Sequence, residues 1–349
     1  MMSVQLLSRE TFRKASRKLK RAIPMIGPVV FFVSIVVLYR QLRGLDFQLV
    51  FHTMGTMSAP ALFFAAGLTV LAYINLTFVE LLSNVRVSSN LGYKRIGLVS
   101  FVAYCFSKNI GFSVISGGAV RLRLYREWGQ DFGNITKIII LNYISFWLGL
   151  FFVTGMAFAV SPPTFVRELD LLTGTFRVFG VLLLLLIGGY FLLIKKIKRP
   201  LKIGTVPLQL PNARFTMWQI VVSSADWLIT AGVLYAVFSG HNVMSFYETL
   251  GIFLVAQFAG LTSQVPGGMG VFEALFVVIL SERIEKAYLV AVLLTYRILF
   301  FFIPFAVAAA AFGIIEYTHN KHLKEILSRA KDRNQKADLQ TEGNDKNSK

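Results

Sequence analysis

Long apolar blocks separated by short, mostly basic loops dominate the chain. The first runs from Pro24 to Leu42 (PMIGPVVFFVSIVVLYRQL), and others lie near 60–82, 96–116, 134–160, 176–194, 216–239, 248–280 and 287–313. A helix needs about 20 mostly apolar residues to cross ~30 Å of hydrocarbon. Counted singly, the blocks would give eight crossings. Loop charge disagrees. Loop 83–95 carries Arg86, Lys94 and Arg95 without an acid, and loop 117–133 carries Arg121, Arg123 and Arg126 against Glu127 and Asp131. Both read as cytoplasmic, so the block 96–116 between them begins and ends on one side.

The second half repeats the conflict from the other face. Loop 161–175 has Arg167 against Glu168 and Asp170 and reads as external, whereas loop 195–215 has Lys195, Lys196, Lys198, Arg199, Lys202 and Arg214 with no acid. Loop 240–247 has no Lys or Arg, and the tail after 314 is basic. With 287–313 crossing once, the block 248–280 starts and ends outside. The fold class predicted is an all-α polytopic membrane protein with six spanning helices and two opposed re-entrant hairpins, near 96–117 and 248–280; eight spanning helices is the alternative.

Local sequence agrees with re-entry. FSKNIGFSVISGGAVRLRLY is broken by Gly111, Gly117 and Gly118, and AQFAGLTSQVPGGMGVFEALF by Gly260, Pro266, Gly267, Gly268 and Gly270. Irregular backbone at membrane depth leaves unpaired N–H and C=O groups, so it must be buried in protein or line a wet cavity. Interrupted segments at comparable places in two halves are the pattern of transporters whose binding sites lie between broken helices.

Composition narrows the reading further. The 349 residues are 55% hydrophobic and 15% charged, against about 25% charged in an average soluble domain. The net charge of +18 lies beside apolar spans and follows membrane orientation, so no nucleic-acid partner is implied. The basic arm 1–23 before the first span reads as a cytoplasmic topogenic signal, because the apolar stretch is too long for a cleaved signal peptide and no small-residue cleavage site follows. The tail 314–349 reads as basic, polar, cytoplasmic and partly disordered. Cys105 is the one cysteine, and His52, His241, His319 and His322 lack zinc-ligand spacing. With no P-loop, no nucleophilic triad and no G-x-G-x-x-G at a strand-to-helix turn, no catalytic residue, cofactor or metal is predicted.

Candidate chemistry sits where charge is costly, about 2.5–3.5 kcal/mol for an ionised side chain at mid-bilayer. Asp226 and Arg297 lie inside spans, either paired with one another or contacting a substrate. Glu80, near the end of its span, is expected to reach the interface, and Asn75 to bond a neighbouring helix. Lys108 and Asn109 precede the Gly111 break. Arg121 and Arg123 follow Gly117 and Gly118 and could grip a phosphate bidentately. The Pro266-Gly267-Gly268-Met269-Gly270 turn opens a helical run whose free N–H groups favour an anion. Glu273 in its first turn is either a cap or a contact for a cation or proton.

The segment LTSQVPGGMGVFEALF carries a Pro-Gly-Gly-x-Gly-x-x-Glu pattern that resembles the lysylphosphatidylglycerol synthase transmembrane family, the flippase portion of multiple-peptide-resistance proteins and their stand-alone relatives. The Asn109-x-Gly111 run with Gly117, Gly118 and Arg121 is similar to that family's first polar segment, and the likeness spans most of 20–315. It implies the translocating part without the aminoacyl-transferase domain. The function expected is movement of a phospholipid or lipid-linked phosphate across a bacterial cytoplasmic membrane, with both termini cytoplasmic, an anionic phospholipid head group as partner and a possible homo-oligomer. Two alternatives stand beside it: a membrane enzyme acting on a lipid-linked substrate, and a scaffold for a lipid-modifying transferase.

Overall fold

A computed structural model describes residues 46–110, 113–162, 170–197, 200–203, 206–238 and 244–318, with Val36 and Tyr39. The N-terminal arm, the first span (those two residues apart), Gly111, loop positions Arg167, Glu168, Lys198 and Arg199, His241 and the tail beyond Thr318 lie outside the described residues.

The helices are α1 (Phe47–Gly55), α2 (Ala59–Arg86), α3 (Tyr93–Ile110), α4 (Ser113–Glu127), α5 (Phe132–Val160), α6 (Asp170–Lys196), α7 (Ala213–Phe238), α8 (Phe246–Ser263), α9 (Val271–Leu280) and α10 (Lys286–Thr318). Between α6 and α7, β1 (Leu201–Ile203) and β2 (Val206–Leu208) pair antiparallel. Caps mark the starts: Asp46 accepts from Gln48 N at 2.8 Å, Asp131 from Gly133 N at 2.7 Å, and Ser245 with Glu248 closes a capping box on α8. Five helices among the described residues, α2, α5, α7, α10 and residues 173–196 of α6, are long and apolar enough to cross a membrane.

The remaining apolar helices fold back. Arg121 on α4 stacks on Tyr104 of α3, and Gly117 abuts Ser107 and Ala103, so α3 and α4 run antiparallel. Phe272 on α9 packs against Phe253 on α8, and Arg283 reaches Glu248 at 3.4 Å, a second antiparallel pair. At ~1.5 Å per residue, the ten residues of α9 reach about 15 Å, half a bilayer core. The outer end of the first hairpin lies with the far end of α10, where Arg123 pairs with Glu316 at 2.8 Å. The second hairpin opens at the other end, where Tyr288 donates to Phe238 O at 3.1 Å. The two hairpins therefore enter the bundle from opposite ends, and neither pair traverses it as two spans.

Packing follows membrane logic. On α2, Ala65, Thr69, Ala72, Tyr73, Leu76 and Glu80 are buried at three- and four-residue spacing, while Phe63, Phe64, Val70 and Ile74 point outward. An apolar outer face suits lipid. Asn75 donates to Val222 O on α7 at 2.9 Å, joining neighbouring helices as expected. Close backbone approach is built in at Gly149 of α5, where a Cβ would lie 2.5 Å from Ser223 Cβ. One apolar core joins α7 to α10, and a second joins the first hairpin to α2 and α5.

Candidate functional site

The hairpin tips meet inside the bundle. Val265 leads into a 3-10 turn, Pro266–Gly268, with positive φ at Gln264 (56°), Gly267 (59°), Gly268 (64°) and Gly270 (81°). Three of the four are glycines, which enter this region without a Cβ penalty. Gly267 packs so closely on the first tip that a Cβ there would stand 2.9 Å from Lys108 O. Asn109 donates to Cys105 O at 2.8 Å and to Phe301 O at 3.4 Å, in a π-helical stretch of α10, Ile298–Phe302.

A charged clasp holds the second tip. Arg297 Nε donates to Glu273 Oε1 at 2.6 Å, and Nη1 donates to Gly267 O at 2.7 Å. Glu273 Oε2 in turn accepts from Gly270 N at 2.7 Å. One carboxylate thus caps the start of α9 and neutralises Arg297, which is 5% exposed. The Asp226–Arg297 pair considered from the sequence does not form. Asp226 lies in α7 facing another space, whereas α9 begins beside Arg297.

At the first hairpin, Glu80 does not reach the interface; it is 0% exposed. Its carboxylate accepts from Arg121 Nε at 3.0 Å on each oxygen, Arg121 Nη2 at 2.7 Å, Tyr125 hydroxyl at 2.9 Å and Asn142 Nδ2 at 2.7 Å. Ser83 donates to Asn142 Oδ1 at 2.6 Å, extending the network onto α5. Packing of the first hairpin over the end of α2 is what removes Glu80 from solvent. The Arg121 fork considered for a phosphate is occupied here by the protein's own carboxylate.

A cavity of about 450 Å³ opens between the tips and α5 and α7. Of the residues singled out from sequence, Lys108, Arg121, Asp226, Gly267 and Gly268 line it. Lys108 holds its ammonium 4.2 Å from the Phe300 ring centroid and 5.2 Å from that of Tyr73. Among the described residues no carboxylate comes within ion-pair distance of it. Asp226 Oδ1 is buried without a hydrogen-bond partner among the described residues.

The other predicted residues shape this space from behind. Asn109, Pro266, Gly270, Glu273 and Arg297 set the tips, Gly117 allows α3 and α4 to touch, and Gly118 faces Ile139. Sequence reasoning missed Thr230, Gln257 and Gln264 in the lining, together with the aromatic wall of Tyr143, Trp147 and Trp227. It also undervalued Glu80. The signal was present: Glu80, Ser83 and Asn84 fall at i, i+3 and i+4, a polar stripe on an otherwise apolar span.

Comparison with known proteins shows the family. A family model described as the lysylphosphatidylglycerol synthase TM region matches residues 25–308. Protein slr0712 of Synechocystis sp. is 31% identical over 331 residues, 94% of this chain and 99% of that protein. Inner membrane protein YbhN of Escherichia coli is 30% identical over 291 residues, 82% of this chain and 90% of its own length. A phosphatidylglycerol lysyltransferase of Staphylococcus aureus is 27% identical over 290 residues, which cover 80% of this chain but 32% of that larger protein. Matched over most of its spans and over the polar hairpins between them, this multi-pass membrane protein belongs to the lysylphosphatidylglycerol synthase TM region family.

Proposed function

We propose that the protein moves a phospholipid, or another lipid-linked phosphate, between the leaflets of a cytoplasmic membrane, with its termini and the outer end of the first hairpin on the cytoplasmic side. The observation that carries this reading is the cavity between opposed hairpin tips, which holds a lysine and a carboxylate without ion-pair partners among the described residues. Charges kept inside an apolar bundle are expensive, and their usual reason is a polar group that passes them. Lys108 supplies a cation for a phosphate, and Asp226 an acceptor for a donor on the head group. Residues of both tips line the cavity, so a shift of either hairpin would reshape it. The basic loops beside α3, α4 and α6 favour a cytoplasmic position for the end of the bundle at which the first hairpin opens. The matched third of the lysyltransferase relative, whose printed name joins it to phosphatidylglycerol, is compatible with a lipid head group as cargo.

Purified protein in vesicles carrying acyl-labelled phospholipid tests this, with loss of outer-leaflet signal to an impermeant reductant as the readout. Lys108→Met and Asp226→Asn are expected to slow leaflet exchange at least about tenfold while remaining folded, the scale of losing a charge-assisted contact. Variants moving lipid at the wild-type rate would overturn the assignment. A change in lipid species instead of sidedness would establish an enzyme.

A further inference from the structure

Among the described residues, two carboxylates keep a buried oxygen that no hydrogen bond reaches, those of Glu316 and Asp226. Glu316 is paired with Arg123 at 2.8 Å, whereas Asp226 has no ion-pair partner among the described residues. Asp226 also lines the cavity in which Lys108 offers its ammonium to a phosphate. A carboxylate in the wall of an anion site works against binding for as long as it stays ionised. A proton removes that opposition.

The charges of the lining give the number of protons. Lys108, Arg121 and Asp226 are its Lys, Arg and carboxylate groups, and Arg121 is already neutralised by Glu80. The Lys108 ammonium lies against the rings of Phe300 and Tyr73, so with an ionised Asp226 the cavity is neutral before cargo enters. A singly charged anion would bring it to one net negative charge inside an apolar bundle. An uncompensated charge in such a place is expensive, and an ionisable group there neutralises instead. One proton on Asp226 restores neutrality. The protonated carboxyl keeps an acceptor oxygen for the head group and gains a donor.

Asp226 is the group left to take this proton. Tyr73 of α2, Tyr104 of α3, Tyr143 of α5 and Tyr296 of α10 bring phenols toward it or into the lining, and phenols as a class are uncharged near neutral pH. Glu80 and Glu273 are tied into ion pairs with Arg121 and Arg297. The end of α8 contributes Gln257 and Gln264, which do not titrate, and α6 contributes no residue to the lining. Cys105, one turn before Lys108, is buried outside the lining.

We infer that Asp226 takes up one proton with each singly charged anion that enters the cavity, so that leaflet exchange is proton-coupled and electrically silent. This rests on the transport reading in taking the cargo to be an anion that Lys108 binds.

The test titrates short-chain phosphatidylglycerol, which stays singly charged from mildly acid to mildly alkaline pH, into the purified full chain in detergent. The zwitterion phosphatidylcholine is the control. The loaded state holds one proton more than the free state, so affinity for phosphatidylglycerol should fall about tenfold per pH unit as pH rises above the point where free Asp226 ionises. Any affinity for phosphatidylcholine should stay flat. Asp226→Asn should lose the pH dependence and bind at alkaline pH as tightly as the wild type does at acid pH, a gain that a merely structural role would not produce. Calorimetry of the wild type in buffers of different ionisation enthalpy counts the proton without a variant, with about one taken up per phosphatidylglycerol bound. In vesicles, acyl-labelled phosphatidylglycerol should gather about tenfold per unit of pH gradient in the leaflet facing the more alkaline side, relative to protein-free vesicles, and a potassium diffusion potential should not move it. No proton uptake, equal pH dependence for the two lipids, or pH dependence kept in Asp226→Asn would overturn the inference. Leaflet exchange indifferent to the pH gradient would overturn it and leave transport standing. Proton-linked binding without any exchange would uphold the uptake and remove transport.

Discussion

Replacing Glu80 by Gln separates a buried charge from its partner while keeping its shape. In the folded protein the carboxylate takes five close contacts from Arg121, Tyr125 and Asn142 at 2.7 to 3.0 Å, with Glu80 at 0% and Arg121 at 4% exposure. A glutamine there offers one acceptor oxygen, and its NH2 confronts donors on Asn142 and Arg121. Breaking a buried pair from one side costs about 3–5 kcal/mol, because the remaining charge stays in a low dielectric. The stacking of Arg121 on Tyr104 at 4.6 Å offsets little of this. The folded-to-unfolded ratio should therefore fall roughly 150- to 5,000-fold. Equilibrium unfolding in mixed micelles of wild type, Glu80→Gln, Arg121→Met and the double variant Glu80→Leu/Arg121→Met gives the comparison. The double variant should recover to within about 1 kcal/mol of wild type, since two apolar groups leave no stranded charge. A loss under about 1 kcal/mol for Glu80→Gln, or a double variant as unstable as the sum of its parts, would refute the view that Arg121 depends on Glu80.

Four further outcomes follow from the packing. Gly117→Ala should destabilise by about 2 kcal/mol, because its Cβ would collide with Ser107 and stand 2.9 Å from Ala103 O, whereas Gly118→Ala, 3.6 Å from Ile139 Cδ1, should be close to neutral in the same unfolding assay. Gly149→Ala drives a Cβ to 2.6 Å from the Ser223 backbone and should cost about 3 kcal/mol or more; a neutral result would mean α5 and α7 pack differently. Gln264→Gly should stabilise by up to about 1 kcal/mol by relieving φ 56°, yet slow leaflet exchange, because its side chain lines the cavity. In a Cys105→Ala background, cysteines at the exposed positions Asn90 and Arg126 should react with an impermeant thiol reagent from one face, and those at Tyr247 and Glu282 from the other. Labelling of Asn90 and Arg126 positions from opposite faces would turn the first hairpin into an ordinary span.

The topology was legible because basic loops and apolar length are one-dimensional signals. Arg86, Lys94 and Arg126 flank the first hairpin on one side, and no arrangement with α3 as a simple crossing satisfies them. The Pro-Gly-Gly turn was legible because positive φ restricts residue choice. Which charges meet was not legible. Arg297 chooses Glu273, 24 residues earlier, over Asp226, and the choice depends on how far the turn at Gly270 advances α9 toward α10. Glu80 looked peripheral from its place in the span, but depth along a helix says nothing about a second helix folded over it. Thr230 escaped notice because nothing in the sequence says which face of α7 borders the cavity.

The contact between the hairpin tips bears on how the chain is assembled. Asn109 meets Phe301 across 192 residues of sequence, and Lys108 takes its aromatic cover from Phe300 and its backbone neighbour from Gly267. As the chain is synthesised from its N-terminus, the first hairpin therefore emerges with the Lys108 ammonium covered by Tyr73 of α2 alone, before Phe300 and Gly267 exist. It must wait, held by the insertion machinery or near the aqueous boundary, until α8, α9 and α10 follow. Truncations ending before Gly267 should accordingly leave this hairpin accessible to quality-control proteases, making the second hairpin the checkpoint for maturation of the first.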